Sequence, residues 1–134
     1  MALQYSTTHR TNAMGDISTQ VGASGLLKIF TGTPPANCGT ADSGVLLATL
    51  TCNATTFGSA SSGVLTINSI TSNTASNTGT AGYFRIYPSS ATTTNAVVQG
   101  LCGTSGSDLN LSSTSIAAGQ TVSISSASIT AFGA

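Results

Sequence analysis

The sequence predicts an all-β fold, a sandwich, jelly roll or barrel of about seven short strands, preceded by one short N-terminal helix. Two observations lead there. Apolar residues change from helical to alternating spacing at Gly22, and beyond it turn residues recur roughly every 8–15 positions. A third observation bears on what such a fold is for: only 4% of the 134 residues are charged, while 40% are hydrophobic. Ordinary globular chains carry ~25% charge.

The length sets one domain, 1–134, made of an N-terminal arm and helix over 1–22 and a β-sandwich over 23–134. It is long enough to bury a core without disulfides or metals. Disordered chains pair low hydrophobicity with high net charge; here three Lys+Arg balance three Asp+Glu and the chain is expected to fold.

Within the helix, Ser6 or Thr7 serves as N-cap, and Met14, Ile17 and Val21 recur on one stripe widened by Ala13. Gly22 is the stop, and Gly15 weakens the interior by roughly 1 kcal/mol relative to Ala. The first strand is Leu26–Thr31, ended by Gly32 and the Pro34-Pro35 pair. Residues Asn37 to Gly44 read as loop. Val45–Thr51 is a continuous apolar run of strand length, expected to be buried on both faces. Gly63–Ile70 follows, and Thr71–Thr80, almost wholly Ser, Thr and Asn, reads as an exposed loop or irregular edge.

Ala81–Tyr87 is the stretch with the strongest β-propensity and is closed by Pro88; Ala96–Leu101 is another short strand. Leu109 and Leu111 then alternate with polar residues. A turn at Ala117-Ala118-Gly119-Gln120 leads to a last strand whose apolar parity changes after Ile124. That change calls for a bulge near Ser125-Ser126 or a switch between sheets there.

Candidate chemistry is thin. The chain holds one His, three Asp and no Glu. His9 falls in the helix, while Asp16, Asp42 and Asp108 are far apart in sequence, and no G-x-S-x-G elbow occurs. A paired-carboxylate site would have only Asp42 and Asp108 to draw on, each simply explained as a turn or strand-edge residue. The reading is therefore not an enzyme, with no catalytic residue, no cofactor and no metal. Cys38, Cys52 and Cys102 are odd in number without CxxC spacing. They read as small buried hydrophobes in a reducing compartment, the alternative being a Cys38–Cys52 bridge that leaves Cys102 free.

Nucleic acid is not an expected partner, because Arg10, Lys28 and Arg85 are the only cations and are scattered. Neither is a membrane, since no run approaches ~20 apolar residues. Met1 to Arg10 lacks an apolar core behind a basic flank, so the product is expected to be made and kept in the cytoplasm, at least initially. A neutral surface offers little electrostatic protection against association, which points to a member of an assembly.

The most informative stretch for assembly is Ala81–Tyr87. At period two, Tyr83, Arg85 and Tyr87 share one face, and Phe84 and Ile86 share the core face. An Arg between two Tyr is the composition that interface centres favour, so these three are the candidate interface residues. The competing reading has Arg85 stacked on the tyrosines on a solvated strand face.

Four segments resemble small virion structural proteins of tailed bacteriophages: the opening MALQYS, TGTPPANCGTADSGVLLATLT at Thr31–Thr51, AGYFRIY at Ala81–Tyr87, and IAAGQTVSISSASIT at Ile116–Thr130. The resemblance implies a non-enzymatic capsid decoration, or cement, protein that binds the outside of a phage head and stabilises it. Such a protein would be a homo-oligomer, with a trimer favoured because capsid surfaces offer local three-fold sites. Its partner would be the major capsid protein or another virion protein, and its place the virion surface after synthesis in the host cytoplasm. The alternatives are a head–tail connector, a tail or tail-fibre component, or a host-surface binding β-sandwich. The resemblance carries over no functional residues.

Overall fold

The computed structural model describes residues 3 to 124 and 127 to 131. One helix, α1 (Thr7–Val21), comes first. Its start follows from Ser6, whose hydroxyl accepts the backbone N–H of His9 at 3.1 Å, satisfying a donor the helix cannot. Its end follows from Gly22, at φ 70, whose N–H donates to the Ser18 carbonyl. Met14 and Val21 turn into the core. The cap and the stop are where the sequence placed them.

Ten strands follow among the described residues: β1 (Leu26–Thr31), β2 (Leu46–Thr51), β3 (Val64–Thr66), β4 (Asn73–Thr74), β5 (Gly79–Tyr87), β6 (Val98–Gly103), β7 (Leu109–Asn110), β8 (Ser115–Ile116), β9 (Thr121–Val122) and β10 (Ser128–Thr130). The main sheet runs β2-β1-β5-β6-β7, with β8 pairing the start of β5. Every pair in it is antiparallel except β6–β7. Two small sheets, β10–β3 and β4–β9, lie apart from it, and no described sheet closes on itself. The fold is β-rich, and it has more and shorter strands than the sequence suggested.

Register explains the burial. Leu27 and Ile29 of β1 sit opposite Ile86 and Phe84 of β5 and opposite Leu50 and Ala48 of β2. All six are buried, and they form one face of the sheet. The helix residues Met14 and Val21, together with Phe57, Leu65, Ile67, Val122 and Ile124, cover that face as one cluster. Burying a large aliphatic side chain stabilises by about 1.5–3 kcal/mol, so this face supplies most of the apolar driving force.

One expectation needs correction: the run Val45–Thr51 is not buried throughout, since Val45 is 47% exposed. Of the two readings of Thr71–Thr80, the irregular edge is the one found: the stretch contains β4 and the start of β5 and runs along the outer edge of β2. There the Ser76 N–H donates to the Leu47 carbonyl at 2.8 Å. The Asn77 and Asn73 side-chain amides donate to the Leu46 and Thr49 carbonyls at 2.8 and 2.9 Å. Short polar side chains thus close the outer edge of β2.

Near the C-terminus β9 pairs with β4 and β10 with β3, so the change of parity after Ile124 coincides with a change of sheet. The expected bulge at Ser125-Ser126 lies outside the described residues.

Candidate functional site

The second face of the main sheet carries Lys28 and Phe30 of β1 and Tyr83, Arg85 and Tyr87 of β5. The chain covers this face itself. The connection from β1 to β2, residues 32 to 45, folds back across it as a strap. Tyr83, Arg85 and Tyr87 are each 0% exposed. The stripe expected to meet a partner meets the strap instead, and this corrects the interface assignment. Strand parity fixes which side chains share a face, but an aromatic–Arg–aromatic stripe looks alike under a partner and under the chain's own loop.

Arg85 is the centre of the covered face. Its Nε and Nη2 donate to the Gln99 side-chain oxygen at 3.1 and 2.9 Å, and Nη2 also donates to the Asn37 carbonyl at 3.0 Å. Its Nη1 donates to the Thr40 carbonyl at 2.8 Å and forms an ion pair with the Asp42 carboxylate at 2.7 Å. All five guanidinium N–H groups are therefore used. Gln99 in turn donates to the Pro35 carbonyl at 2.9 Å, and the Tyr87 hydroxyl donates to Asp42. The Tyr83 hydroxyl donates to the Ser43 carbonyl at 2.6 Å while its ring stacks on Phe30 at 4.9 Å. The Lys28 ammonium lies 4.9 Å from the centre of the Tyr87 ring.

The electrostatics agree with a locked ion pair. Burial alone lowers the pKa of Arg85, but the neighbouring Tyr87 and Asp42 raise it by more, so the guanidinium stays charged. Burial, reinforced by the hydrogen bond to Asp42, pushes the Tyr87 phenol well above its ordinary range, so it remains a neutral donor. The arrangement can hold the strap down. It presents no exposed nucleophile or base.

The other titratable groups do not converge on it. His9 lies on the exposed first turns of α1, its ring 5.0 Å from that of Tyr5. Asp16 is on the same helix, and Asp108 accepts the Leu101 N–H at 2.9 Å. Among the described residues no three His, Cys, Asp or Glu side chains group as metal ligands. All three cysteines are thiols, and Cys38 and Cys52 are not bridged. No described helix is long and apolar enough to cross a membrane.

An open cleft of ≈ 490 Å³ lies between β6 and β7 on one side and β10 on the other, walled by Phe84, Gln99, Asp108, Ser128, Ile129 and Thr130. Sequence reasoning missed both this cleft and the role of Gln99. One signal for the lock was available: Asp42 sits in a Gly- and Asn-rich loop and is one of only three acids, so a buried Arg had few possible mates. The cleft had no signal, because its walls come from strands far apart in sequence. Comparison with protein-family models, curated proteins and solved structures finds no match to this chain.

Proposed function

We propose that the chain is a non-enzymatic virion structural protein, a capsid decoration (cement) protein that binds the outside of a tailed-phage head as a trimer. Its partner in this reading is the major capsid protein. The observation that carries it is where the charge goes. Of six charged residues, Arg85 and Asp42 are spent on each other inside the domain, and Lys28 lies against Tyr87. The exposed surface is left mostly to Ser, Thr, Asn and Gly, with Asp16 and Asp108 as its exposed acids, and among the described residues no acid and base converge for turnover. Such a surface suits permanent contact with protein neighbours better than life as a free monomer. The phage assignment rests on the four segments that resemble virion proteins. In finer terms we read the fold as a sandwich, the main sheet on one side and the two small sheets with α1 on the other.

The test adds purified protein to heads stripped of it. Saturable binding over the head surface, with a higher temperature for head disruption, is the expected result. Binding only at the tail vertex, seen by labelled electron microscopy, would move the protein to a connector or tail. No binding to any part of the particle would remove the virion assignment.

A further inference from the structure

The cleft between β6 and β10 is bounded by two strand edges, β10 and the start of β6 before it meets β7, and on these the outward backbone groups of Ser128, Thr130 and Gln99 have no strand partner among the described residues. On β10, the Ala127 carbonyl accepts from Ile67 and the Ala131 N–H donates to the Gly63 carbonyl, so both point toward β3. Backbone direction alternates along a strand, which turns the N–H and C=O of Ser128 and Thr130 outward, and both residues line the cleft. On β6, the Leu101 N–H is taken by the Asp108 carboxylate and the Gly103 carbonyl by the Leu111 N–H, both on the side away from β5. Gln99 shares their parity, so its backbone groups also face outward at the cleft. An extended segment lying between the two walls would hydrogen-bond to β10 and to Gln99 and join the main sheet to the β3–β10 sheet.

We propose that the cleft receives the N-terminal arm, Leu3–Ser6, of a second copy of this chain as an added strand. This deepens the assembly reading above and rests on its self-association. The arm precedes α1 and is not helical, and Ser6 has extended backbone angles. Leu3 is 75% exposed and Tyr5 37%, two of only four large hydrophobic residues exposed among the described residues. Spaced by two, they fall on one face of an extended segment, able to lie against Phe84 and Ile129 of the walls. Four residues at about 3.3 Å each span about 13 Å, enough to run the length of the three-residue β10. The arm has no charge, so it brings none against Asp108, and the net charge of zero gives no repulsion between copies.

The experiment combines sedimentation equilibrium with hydrogen exchange on three proteins: wild type, the double variant Leu3→Asn with Tyr5→Asn, and Thr130→Pro. The proline removes an outward N–H that forms no bond to any described residue, at an edge position that tolerates it. Far-UV circular dichroism checks that each variant remains folded. The expected result is an oligomeric wild type with slow exchange at Ser128 and Thr130. Both variants should be folded monomers, with Ser128 exchanging freely in each and Thr130 exchanging freely in the arm variant. An oligomer that persists in both variants would overturn arm exchange while leaving the assembly reading intact. A monomeric wild type with fast exchange at these amides would overturn arm exchange and self-association, the head-binding assay then deciding the virion reading alone. Amides that become slow only on heads would assign the cleft to a capsid segment and overturn exchange between copies.

Discussion

Arg85 loses the hydration of a full charge when it is enclosed, a cost of several kcal/mol that its hydrogen bonds, one of them the ion pair with Asp42, offset. Arg85→Ala strips these donors from Asp42, from Gln99 and from the Asn37 and Thr40 carbonyls at once. It should lower unfolding free energy by about 3–5 kcal/mol in urea titration, as removal of one member of a buried pair does. Tyr83→Phe, which loses only the hydroxyl bonded to Ser43, should cost about 1–2 kcal/mol. A loss below that level for Arg85→Ala would mean the strap is held by packing instead. Three other groups tie stability to alkaline pH. Burial pushes the Cys52 thiol up to about 11, and burial followed by Asp108 pushes Cys102 up to about 12, from an ordinary value of 9.0. Tyr87 is raised above its ordinary 10.0. In each case the fold keeps a proton that the unfolded chain releases, so the folded pKa is the higher one. The contribution is complete below about pH 9 and falls as pH rises toward about 12, by at most ~1.4 kcal/mol per pH unit for each group. Melting temperature should therefore be level from about pH 7 to 8.5 and decline above about pH 9, with a shallower decline in Cys52→Ala. A melting temperature unchanged to about pH 11 would contradict the burial of these groups.

Two glycines show how differently the elements depend on missing side chains. Gly82 stands in β5 opposite the bulge between Phe30 and Thr31, and a methyl there would fall on the Gly32 carbonyl oxygen. Gly15 stands in α1 with nothing within 4 Å of where a methyl would be. In thermal melts, Gly82→Ala should destabilise by about 3 kcal/mol, at the upper end of overpacking effects. Gly15→Ala should stabilise by up to about 1 kcal/mol through helix propensity. Equal effects at the two positions would rule out the close approach at Gly82. The same contrast explains what the sequence made legible. The bounds of α1 were readable because Ser6 and Gly22 act within a turn of the chain, and β1 and β5 because apolar residues dense enough to reveal parity run through them. Asn73–Thr74 and Ser115–Ile116 carry almost no such signal: they are strands because β9 and β5 lie beside them. For the candidate site, the shared face of Tyr83, Arg85 and Tyr87 was readable and its cover was signalled only by Asp42, since the rest of the strap's grip lies in backbone carbonyls that every residue type possesses.

At the scale of the whole molecule, the strap takes Tyr83, Arg85 and Tyr87 out of the reach of neighbours, while Leu101 on the same face stays exposed. The arm and the cleft are complementary features, one exposing apolar side chains and the other outward backbone groups without a strand partner among the described residues. The charge economy has a further consequence at the outer edge of β2, where Asn73, Asn77 and the Ser76 backbone occupy the carbonyls that an unwanted strand would use. Many proteins guard such edges with lysine, and that defence is Coulombic. It weakens as the Debye length shrinks from about 10 Å at 0.1 M ionic strength to about 3 Å at 1 M. An amide already hydrogen-bonded to the carbonyl blocks it by occupancy, and occupancy does not decay with ionic strength. At this edge the protein's resistance to strand-by-strand aggregation is accordingly indifferent to salt, in brine as in fresh water.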